Sequence, residues 1–328
     1  MNILVTGGCG LAGSFAVRHA VEQGHRVVAF DIALRTDLLT DVLDRVDLVR
    51  GDLTSAPDIM RAVEAHSVER ILHTASFLTG AAFERPYAAA QLMVMGTLNV
   101  LEAARTLGVQ RVVHVSTGKT MATGRQYAES AGTGGIGITP DPYTSCKVAA
   151  ELLCNDYAKL YDMSVVIIRY AQLFGPGYDF AGGSGKAIKP VVEACLRGET
   201  VTMSAEEASL FSTPPGQRPN RSLSPSGLLY AKDAGRAGIL AALSDRLTDS
   251  VFRIQPMEAL TMHGIAERLM RIIPGGQIEV PDGPDPGGPV EPDARAKEQF
   301  GYVPEYDVER GLREYVGFLK TGRYETIA

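Results

Sequence analysis

The sequence predicts an α/β protein, a doubly wound parallel sheet with a smaller C-terminal lobe. A strand pattern over residues 2–6 runs directly into a glycine-rich turn and then into a helix pattern. Strand and helix patterns then alternate up to about residue 170, which is typical of a parallel sheet covered by helices. Several of the predicted strands end at glycine, acidic or hydroxyl residues, at the sheet edge where such folds bind ligands.

Six strand patterns precede residue 175, and helical patterns connect them. The strands are expected at residues 2–6, 26–30, 47–50, 70–74, 111–116 and 164–170, and the helices at 11–23, 57–66, 88–107 and 143–161. Beyond them, residues 189–197, 230–243, 261–273 and 308–320 have helical patterns, and residues 204–227 have the composition of a long loop. We expect a main domain over residues 1–175 and a lobe over residues 176–328, with residues 228–243 returning to the main domain.

Composition and charge narrow the classes of function. The 328 residues are 45% hydrophobic with a net charge of -6, which gives no reason to expect nucleic acid or an anionic membrane as a partner. We see no signal peptide before the first strand and no apolar run of about 18 residues, so we expect a cytoplasmic protein. The four cysteines lack C-x-x-C spacing and the six histidines are scattered, which favours reduced thiols and no metal site.

The glycine-rich turn is the first functional motif. Residues 6–13 read TGGCGLAG, between a strand and a helix. Glycines at positions 7, 10 and 13 (Gly7, Gly10 and Gly13) let the backbone approach a pyrophosphate closely, and the helix start at Leu11 and Ala12 offers unpaired N–H groups. This pattern predicts a Rossmann-like, dinucleotide-binding domain. The alternative is a glycine-rich helix start that binds nothing.

The end of the second strand indicates which dinucleotide is bound. Asp31 lies 18 positions after Gly13, close to where a ribose-binding acid belongs. Its carboxylate would accept the 2′-hydroxyl of NAD and repel a 2′-phosphate by roughly 3–4 kcal/mol at an effective dielectric constant near 20. Arg35 is near enough in sequence to offset part of that repulsion. We predict NAD over NADP, the alternative role for Asp31 being a turn or helix-cap residue.

A Tyr-x-x-x-Lys pair behind a Ser-Thr pair predicts proton transfer. Tyr143 and Lys147 share one helix face, and an ammonium about 5 Å away favours phenolate by roughly 3 kcal/mol, or ~2 pK units. That brings a phenol toward the range of general acid–base catalysis. Thr117, after Ser116 at a strand end, can bond and orient the substrate oxygen. Without the Ser-Thr pair at the strand end, Tyr143 and Lys147 would be interpreted equally well as part of a solvent-exposed helix face.

Taken together, the motifs resemble those of extended short-chain dehydrogenases/reductases of the NAD-dependent epimerase/dehydratase family. The matching segments are residues 6–13, 51–53, 73–76, 96–103, 116–117, 143–147 and 175–177, with weaker matches at 230–233 and 300–304. The resemblance implies that Asp52 and Leu53 flank the adenine and that Ala75 lines the cofactor near its phosphates and ribose. It also implies that Thr117, Tyr143 and Lys147 form the catalytic trio, with Tyr143 and Lys147 also touching the cofactor, and that helices 88–107 and 143–161 pair in a homodimer.

Departures from the family pattern bear on the substrate. Dehydratases carry Asp-Glu after the catalytic Thr, whereas Gly118-Lys119 follow here, which argues against dehydration. Ser226 stands where nucleotide-sugar members carry an Arg that grips diphosphate, although Arg218 and Arg221 lie close by in the sequence. Gln172, a candidate substrate contact, replaces the usual Asn before Gly-Pro.

A further departure concerns the proton relay. Met93 stands where many members have an active-site Asn that helps to order a relay water. The replacement leaves hydride transfer itself unaffected, so the catalytic trio is still expected to act.

Three functions follow as hypotheses. The leading one is an NAD-dependent dehydrogenase or reductase of a secondary alcohol or ketone, with a small, carbohydrate-like substrate. The second is an NAD-dependent sugar or nucleotide-sugar epimerase, and the third a dinucleotide-sensing module without catalysis. Residues 78–87, 118–138 and 178–227 are expected to form the substrate pocket, because specificity varies in loops.

Overall fold

The computed structural model describes residues 1–121, 141–177, 188–203, 226–281 and 288–322. The chain divides into two compact units, each with its own hydrophobic core. The first unit comprises Met1–Tyr170, Ala234–Ile254 and Asp293–Tyr302, and the second comprises Ala171–Asp233, Gln255–Pro292 and Val303–Ala328.

The elements are numbered in chain order within the described residues. The strands are β1 (Asn2–Thr6), β2 (Arg26–Asp31), β3 (Val46–Arg50), β4 (Arg70–His73), β5 (Arg111–Thr117), β6 (Val165–Tyr170), β7 (Gln172–Phe174), β8 (Thr200–Thr202), β9 (Ser226–Tyr230), β10 (Val251–Ile254), β11 (Glu258–Leu260), β12 (Gln277–Glu279) and β13 (Gly288–Pro289). The helices are α1 (Leu11–Glu22), α2 (Ala56–Ala65), α3 (Thr79–Glu84), α4 (Pro86–Ala90), α5 (Gly96–Leu107), α6 (Pro142–Leu160), α7 (Ile188–Leu196), α8 (Ala231–Leu243), α9 (Met262–Ile272), α10 (Ala294–Phe300) and α11 (Val308–Thr321). In the parts of the chain described, no helix combines the length and apolarity that crossing a membrane requires.

A seven-stranded sheet forms the centre of the first unit. Its order is β10-β6-β5-β4-β1-β2-β3, and all its pairings are parallel. Central strands such as β1, whose Ile3, Leu4 and Val5 are fully buried, carry apolar residues on both faces because helices cover both sides. The strand order reverses between β1 and β4, which makes their carboxyl ends the ligand-binding edge. The predicted fold class, a Rossmann-like doubly wound parallel sheet, is therefore confirmed.

Helix α6, which carries Tyr143 and Lys147, begins at a side-chain cap. The carboxylate of Asp141 accepts hydrogen bonds from the backbone N–H of Thr144 at 3.1 Å and from its hydroxyl at 2.6 Å. A cap of this kind stabilises a helix by about 1 kcal/mol. Pro142 occupies the first turn, where its missing N–H would have had no helical partner. The start of α6 thus sets which of its residues face β5.

The helix predicted over residues 88–107 is present, but its middle is a π-helical segment and not an α-helix. The chain forms α4, then a π-helical segment at Gln91–Met95, then α5. The backbone N–H of Gly96 bonds to the carbonyl of Gln91, five residues back, and the hydroxyl of Thr97 donates to the carbonyl of Met93 at 2.7 Å. A π-helical turn adds one residue to a helix and often occurs at functional sites. The segment turns Met93 into the core, where it is 2% exposed.

The second unit contains two small sheets, of order β13-β11-β9-β7 and β12-β8. A buried acid organises its C-terminal helix α11: Glu314 accepts from the hydroxyl of Tyr230 at 3.0 Å and lies 2.9 Å from the ammonium of Lys232. The carboxylate of Asp233 accepts the backbone N–H of Tyr306 at 2.9 Å, which ties the segment before α11 to the same place. Most of the predicted loop at 204–227, including both candidate arginines, lies outside the described residues.

Candidate active site

The glycine turn after β1 is shaped by close backbone contacts. Gly7 has φ of +66°, and a Cβ there would lie 2.9 Å from the backbone of Ala75, two residues after β4. A Cβ on Gly13 would lie 2.0 Å from the carbonyl oxygen of Gly7, so only glycine fits where α1 meets the turn. The N–H of Gly10 donates to the same carbonyl at 2.9 Å. The turn therefore presents bare backbone at the edge where β1 and β4 end.

The start of α1 has the properties of an anion site. Gly10 is the N-cap residue and provides no side-chain cap, and the first turn contains no acidic residue. The N–H of Ser14 donates a hydrogen bond to the carbonyl of Gly10 and is the first amide with a helical acceptor. The amides of Leu11, Ala12 and Gly13, which precede it, therefore have no intrahelical acceptor. Such donors, together with the helix dipole, favour a phosphate group. The residues present thus fit a dinucleotide pyrophosphate.

Asp31 closes β2 beside this turn. One carboxylate oxygen accepts the backbone N–H of Cys9 at 3.1 Å, and the other accepts that of Ala33 at 3.1 Å. Each oxygen retains further lone pairs, so the half-buried carboxylate is held in place and can still accept from ribose hydroxyls. Burial, with Asp31 as a smaller contributor, raises the pKa of the Cys9 thiol to about 11, so this thiol is neutral.

The basic residue near Asp31 already has an acidic neighbour. Arg35 forms an exposed ion pair with Asp37, with a distance of 3.4 Å between nitrogen and oxygen. Exposed pairs of this kind stabilise weakly, so the pair by itself does not fix the position of the guanidinium. The predicted preference for NAD over NADP therefore rests on the carboxylate of Asp31.

Asp52 and Leu53 follow β3 at the same edge of the sheet. The carboxylate of Asp52 accepts the backbone N–H of Thr54 at 2.8 Å, which fixes the turn. Leu53 is 4% exposed, and its carbonyl accepts from the side chain of Asn99 at 2.7 Å. The matched segment at 96–103 thus contributes a side chain that holds this turn. Asp52 and Leu53 lie one strand beyond Asp31, where the resemblance expects the adenine.

Lys147 is buried beneath β5. Lys147 is only 4% exposed, and its ammonium donates a hydrogen bond to the carbonyl of Val115 at 2.7 Å. Burial lowers the pKa of Lys147 to about 8, while Glu151 partly opposes that change. Tyr143 lies one turn earlier on α6, half-buried against an apolar cluster that includes Met93 and Cys146. Lys147 is thus fixed under the strand that ends at Thr117.

An ion pair that the sequence analysis missed supports the end of β5. Glu151 and Arg169 form two hydrogen bonds, at 2.9 and 2.5 Å, and the side chain of Glu151 is 8% exposed. The hydroxyl of Ser116 donates to the same carboxylate at 2.5 Å. Ser116 and Arg169 are direct neighbours in the β5–β6 register. The pair therefore holds the backbone that presents Thr117.

A sequence signal for this ion pair does exist. Glu151 follows Lys147 by four residues, as Lys147 follows Tyr143, so the three share one face of α6. A buried helix face that carries an acid needs a basic partner, and Arg169 is the charged residue near the end of the next predicted strand. The spacing of Glu151 on this helix face is therefore a sequence signal for its ion pair with Arg169.

His73 forms a second unforeseen network, between the glycine turn and the π-helical segment. The hydroxyl of Thr97 is engaged with the carbonyl of Met93, so it accepts from Nε2–H of His73 at 3.1 Å. Nδ1 of His73 then accepts from the hydroxyl of Thr6 at 2.7 Å. Burial lowers the pKa of His73 to about 3, which keeps this imidazole neutral. These three hydrogen bonds link the end of β1 to the π-helical segment that contains Met93.

The structure brings part of the predicted site together. Gly7, Asp31, Asp52, Ala75 and Thr117 lie at the carboxyl edge of one sheet. Leu53 follows Asp52 at the same edge, and Gly10 caps α1. The helices that follow or cover this edge carry the remaining predicted cofactor and catalytic residues of the first unit, namely Leu11, Ala12, Gly13, Tyr143 and Lys147. Gln172 belongs to the second unit, where it starts β7 opposite Leu228. Of the predicted pocket segments 78–87, 118–138 and 178–227, the parts at 122–138, 178–187 and 204–225 lie outside the described residues.

Comparisons with known proteins show the family to which the chain is similar. The model of the NAD dependent epimerase/dehydratase family matches residues 3–244. UDP-glucose 4-epimerase of Mycolicibacterium smegmatis is 33% identical over 207 residues, or 61% of this chain and 64% of that protein. 2-Alkyl-3-oxoalkanoate reductase of Stenotrophomonas maltophilia is 32% identical over 183 residues, or 54% of this chain and 52% of that protein. The aligned region thus spans 64% and 52% of these two relatives.

A solved structure shares the whole fold. Thermus thermophilus UDP-glucose 4-epimerase, solved in complex with NAD, superposes with a TM-score of 0.72 at 24% identity. The match covers 98% of this chain and 99% of that one. The family match includes the glycine turn, Asp31 and the Tyr143/Lys147 helix, and NAD is accordingly the cofactor. The chain belongs to the NAD dependent epimerase/dehydratase family.

Proposed function

We propose that the protein is an NAD-dependent dehydrogenase or reductase of a secondary alcohol or ketone on a small, carbohydrate-like substrate. The observation that carries this proposal is the relation between β5 and α6. Thr117 ends β5, Lys147 is buried against the same strand with its ammonium 2.7 Å from the carbonyl of Val115, and Tyr143 lies one turn earlier. A hydroxyl, a phenol and a fixed cation are the groups that carbonyl reduction needs.

Each residue of the trio has a distinct role in this proposal. NAD, when bound, would accept the hydride during oxidation, and its reduced form would supply the hydride during reduction. Tyr143 takes the proton of the substrate hydroxyl during oxidation and returns it during reduction. Thr117 bonds the same substrate oxygen and orients it. Lys147 is mostly protonated at pH 7, because its pKa stays at about 8, and its charge favours the phenolate of Tyr143.

The relatives support hydride transfer in two forms. The Stenotrophomonas relative is a reductase by name, which matches the leading proposal. The Mycolicibacterium relative is an epimerase by name, so an NAD-dependent sugar epimerase is the second candidate. In that case NAD would accept the hydride from one carbon and return it to the same carbon without leaving the site, and the same trio would move the proton. Gly118 and Lys119 stand where a dehydratase needs its acid pair, which speaks against loss of water.

We also propose a homodimer formed through α5 and α6. Large apolar side chains are exposed on these helices and just before α5: Met95 is 51% exposed before α5, Leu107 38% on α5, and Leu152 60% and Leu160 73% on α6. Exposed apolar residues grouped on two neighbouring helices suit a protein interface. The molecular mass by light scattering should correspond to two chains, and Leu152→Glu should shift it toward one. A wild-type mass of one chain at micromolar concentration would contradict the dimer.

Two measurements on the purified protein test the proposed activity. The first is the nicotinamide content after denaturation: little bound nicotinamide is expected of a dehydrogenase, and one per chain of an epimerase. The second is NADH formation from free sugars, uronates, nucleotide sugars, polyols and aromatic alcohols at neutral to mildly alkaline pH. The proposal predicts NADH from at least one class. Failure to bind NAD would refute both candidates.

A further inference from the structure

Lys119 lies beside two members of the catalytic trio. Its backbone N–H approaches the hydroxyl oxygen of Thr117 at 3.4 Å. Its ammonium lies 5.7 Å from the centroid of the Tyr143 ring. The side chain is 46% exposed, so it is accessible to a ligand. Lys119 therefore places a positive charge 5.7 Å from the ring centroid of the proposed acid–base residue, on a backbone that contacts Thr117.

The contacts that hold Lys119 are exchangeable. Its ammonium is 3.6 Å from the carboxylate of Asp141 and 3.3 Å from the hydroxyl of Thr79. An ion pair of that length between partly exposed groups stabilises by about 0–1 kcal/mol. Asp141 is, moreover, already engaged as the cap of α6 through Thr144. An anionic group on a ligand could take the ammonium without disturbing that cap.

We propose that Lys119 binds an anionic group of the substrate, a carboxylate or a phosphate monoester, situated a few bonds from the reacting carbon. This inference rests on the proposed function, because Thr117 and Tyr143 define where the reacting oxygen lies. Hydrogen bonds of about 2.7–2.9 Å from Tyr143 to the substrate oxygen and from Lys119 to the anion leave room only for a short spacer. The substrate class is thus an acidic alcohol, such as a hydroxy acid, a sugar acid or a sugar phosphate, rather than a neutral sugar.

Anion binding can be tested without knowing the substrate. Malonate and inorganic phosphate, each titrated at constant ionic strength with NAD⁺ saturating, serve as the carboxylate and phosphate probes. Saturable thermal stabilisation gives the dissociation constant of each probe. Lys119→Gln should weaken the preferred probe about tenfold or more, because a charge-assisted hydrogen bond is lost. Lys119→Arg should retain most of the affinity.

A matched lysine controls for the change in net charge. Lys159 is exposed near the end of α6, so Lys159→Gln should leave the affinity within about twofold of wild type. The probe that binds more tightly to wild type identifies carboxylate or phosphate as the recognised group. An absence of saturable binding in wild type, or equal affinity in Lys119→Gln and wild type, would overturn the proposal.

The test separates this inference from the proposed function. Tyr143-dependent NADH formation from neutral alcohols, combined with no Lys119-dependent anion binding, would overturn only the role of Lys119. Once an active alcohol is found, its acidic and neutral forms provide a second comparison. Lys119→Gln should then raise KM for the acid about tenfold and leave KM for the neutral analogue within about twofold. An equal rise for both would contradict anion recognition.

Discussion

Burial of the Lys147 ammonium lowers the free energy of unfolding, and we predict that this destabilisation depends on pH. Lys147 lies under β5 with its pKa lowered from 10.5 to about 8 by burial. Since the pKa of Lys147 is lower in the folded state than in the unfolded state, the unfolded chain binds more protons than the folded chain between pH 8 and pH 10.5. Stability therefore rises with pH in that window, and below pH 8 the cost is present in full. Lys147→Met removes the titrating group and keeps a side chain of similar length.

The magnitude follows from the two pKa values. Their difference, 10.5 minus about 8, is about 2.5 units, and at 1.36 kcal/mol per unit it corresponds to about 3 kcal/mol. Linkage places most of that free energy between pH 7 and pH 10, so we expect a change of about 2–3 kcal/mol over this range. Wild type should gain this much relative to Lys147→Met as the pH rises.

Urea unfolding of NAD-free protein at pH 7, 8, 9 and 10, with reductant present, measures the difference. The free energy of unfolding of wild type minus that of Lys147→Met should increase by about 2–3 kcal/mol from pH 7 to pH 10. Lys159→Met, at an exposed lysine of the same helix, is the matched control and should give a flat difference. A difference for Lys147→Met that stays constant within about 0.5 kcal/mol would refute the burial of this charge.

Four further substitutions, one of them a control, test residues that support the structure of the two units. Gly13→Ala should abolish NAD binding, measured by calorimetry, because its Cβ would lie 2.0 Å from a carbonyl oxygen. Gly317→Ala, at a helical site with open space, is the control and should stabilise the protein by up to about 1 kcal/mol in thermal unfolding. Glu151→Gln should cost about 3 kcal/mol in urea unfolding and lower kcat, since it leaves Arg169 without its charge partner; an unchanged stability would contradict a structural ion pair. Glu314→Gln should destabilise by roughly 2–4 kcal/mol in the same assay, and an effect below about 0.5 kcal/mol would contradict its role at α11.

The sheet could be predicted from the sequence because local patterns determine its strands. β1 was expected at residues 2–6 and forms Asn2–Thr6, and the five later strand predictions each agree within a residue at either end. Apolar runs bounded by glycine or acidic residues are sufficient for buried parallel strands. The short strands β7 to β13 were not predicted, since segments of two to five residues carry too little periodicity.

Part of the site depends on spatial relations that local patterns do not contain. The π-helical segment at Gln91–Met95 lies in sequence that is uniformly helix-forming, and its hydrogen bonds shift by one residue without a local signal. The contact of His73 with Thr6 and Thr97 joins positions 67 and 24 residues apart. By contrast, the glycine turn was recognisable because its own conformation requires the residue type.

The most direct test of the account is a paired measurement on Tyr143→Phe. The substitution removes one hydroxyl and leaves the cofactor residues of the glycine turn unchanged. We predict that NAD⁺ affinity, measured by calorimetry, stays within about threefold, or less than about 1 kcal/mol, while hydride transfer to NAD⁺ from any active alcohol falls by at least about a hundredfold. Turnover that stays near the wild-type rate in Tyr143→Phe would contradict the assignment of Tyr143 as the acid–base group.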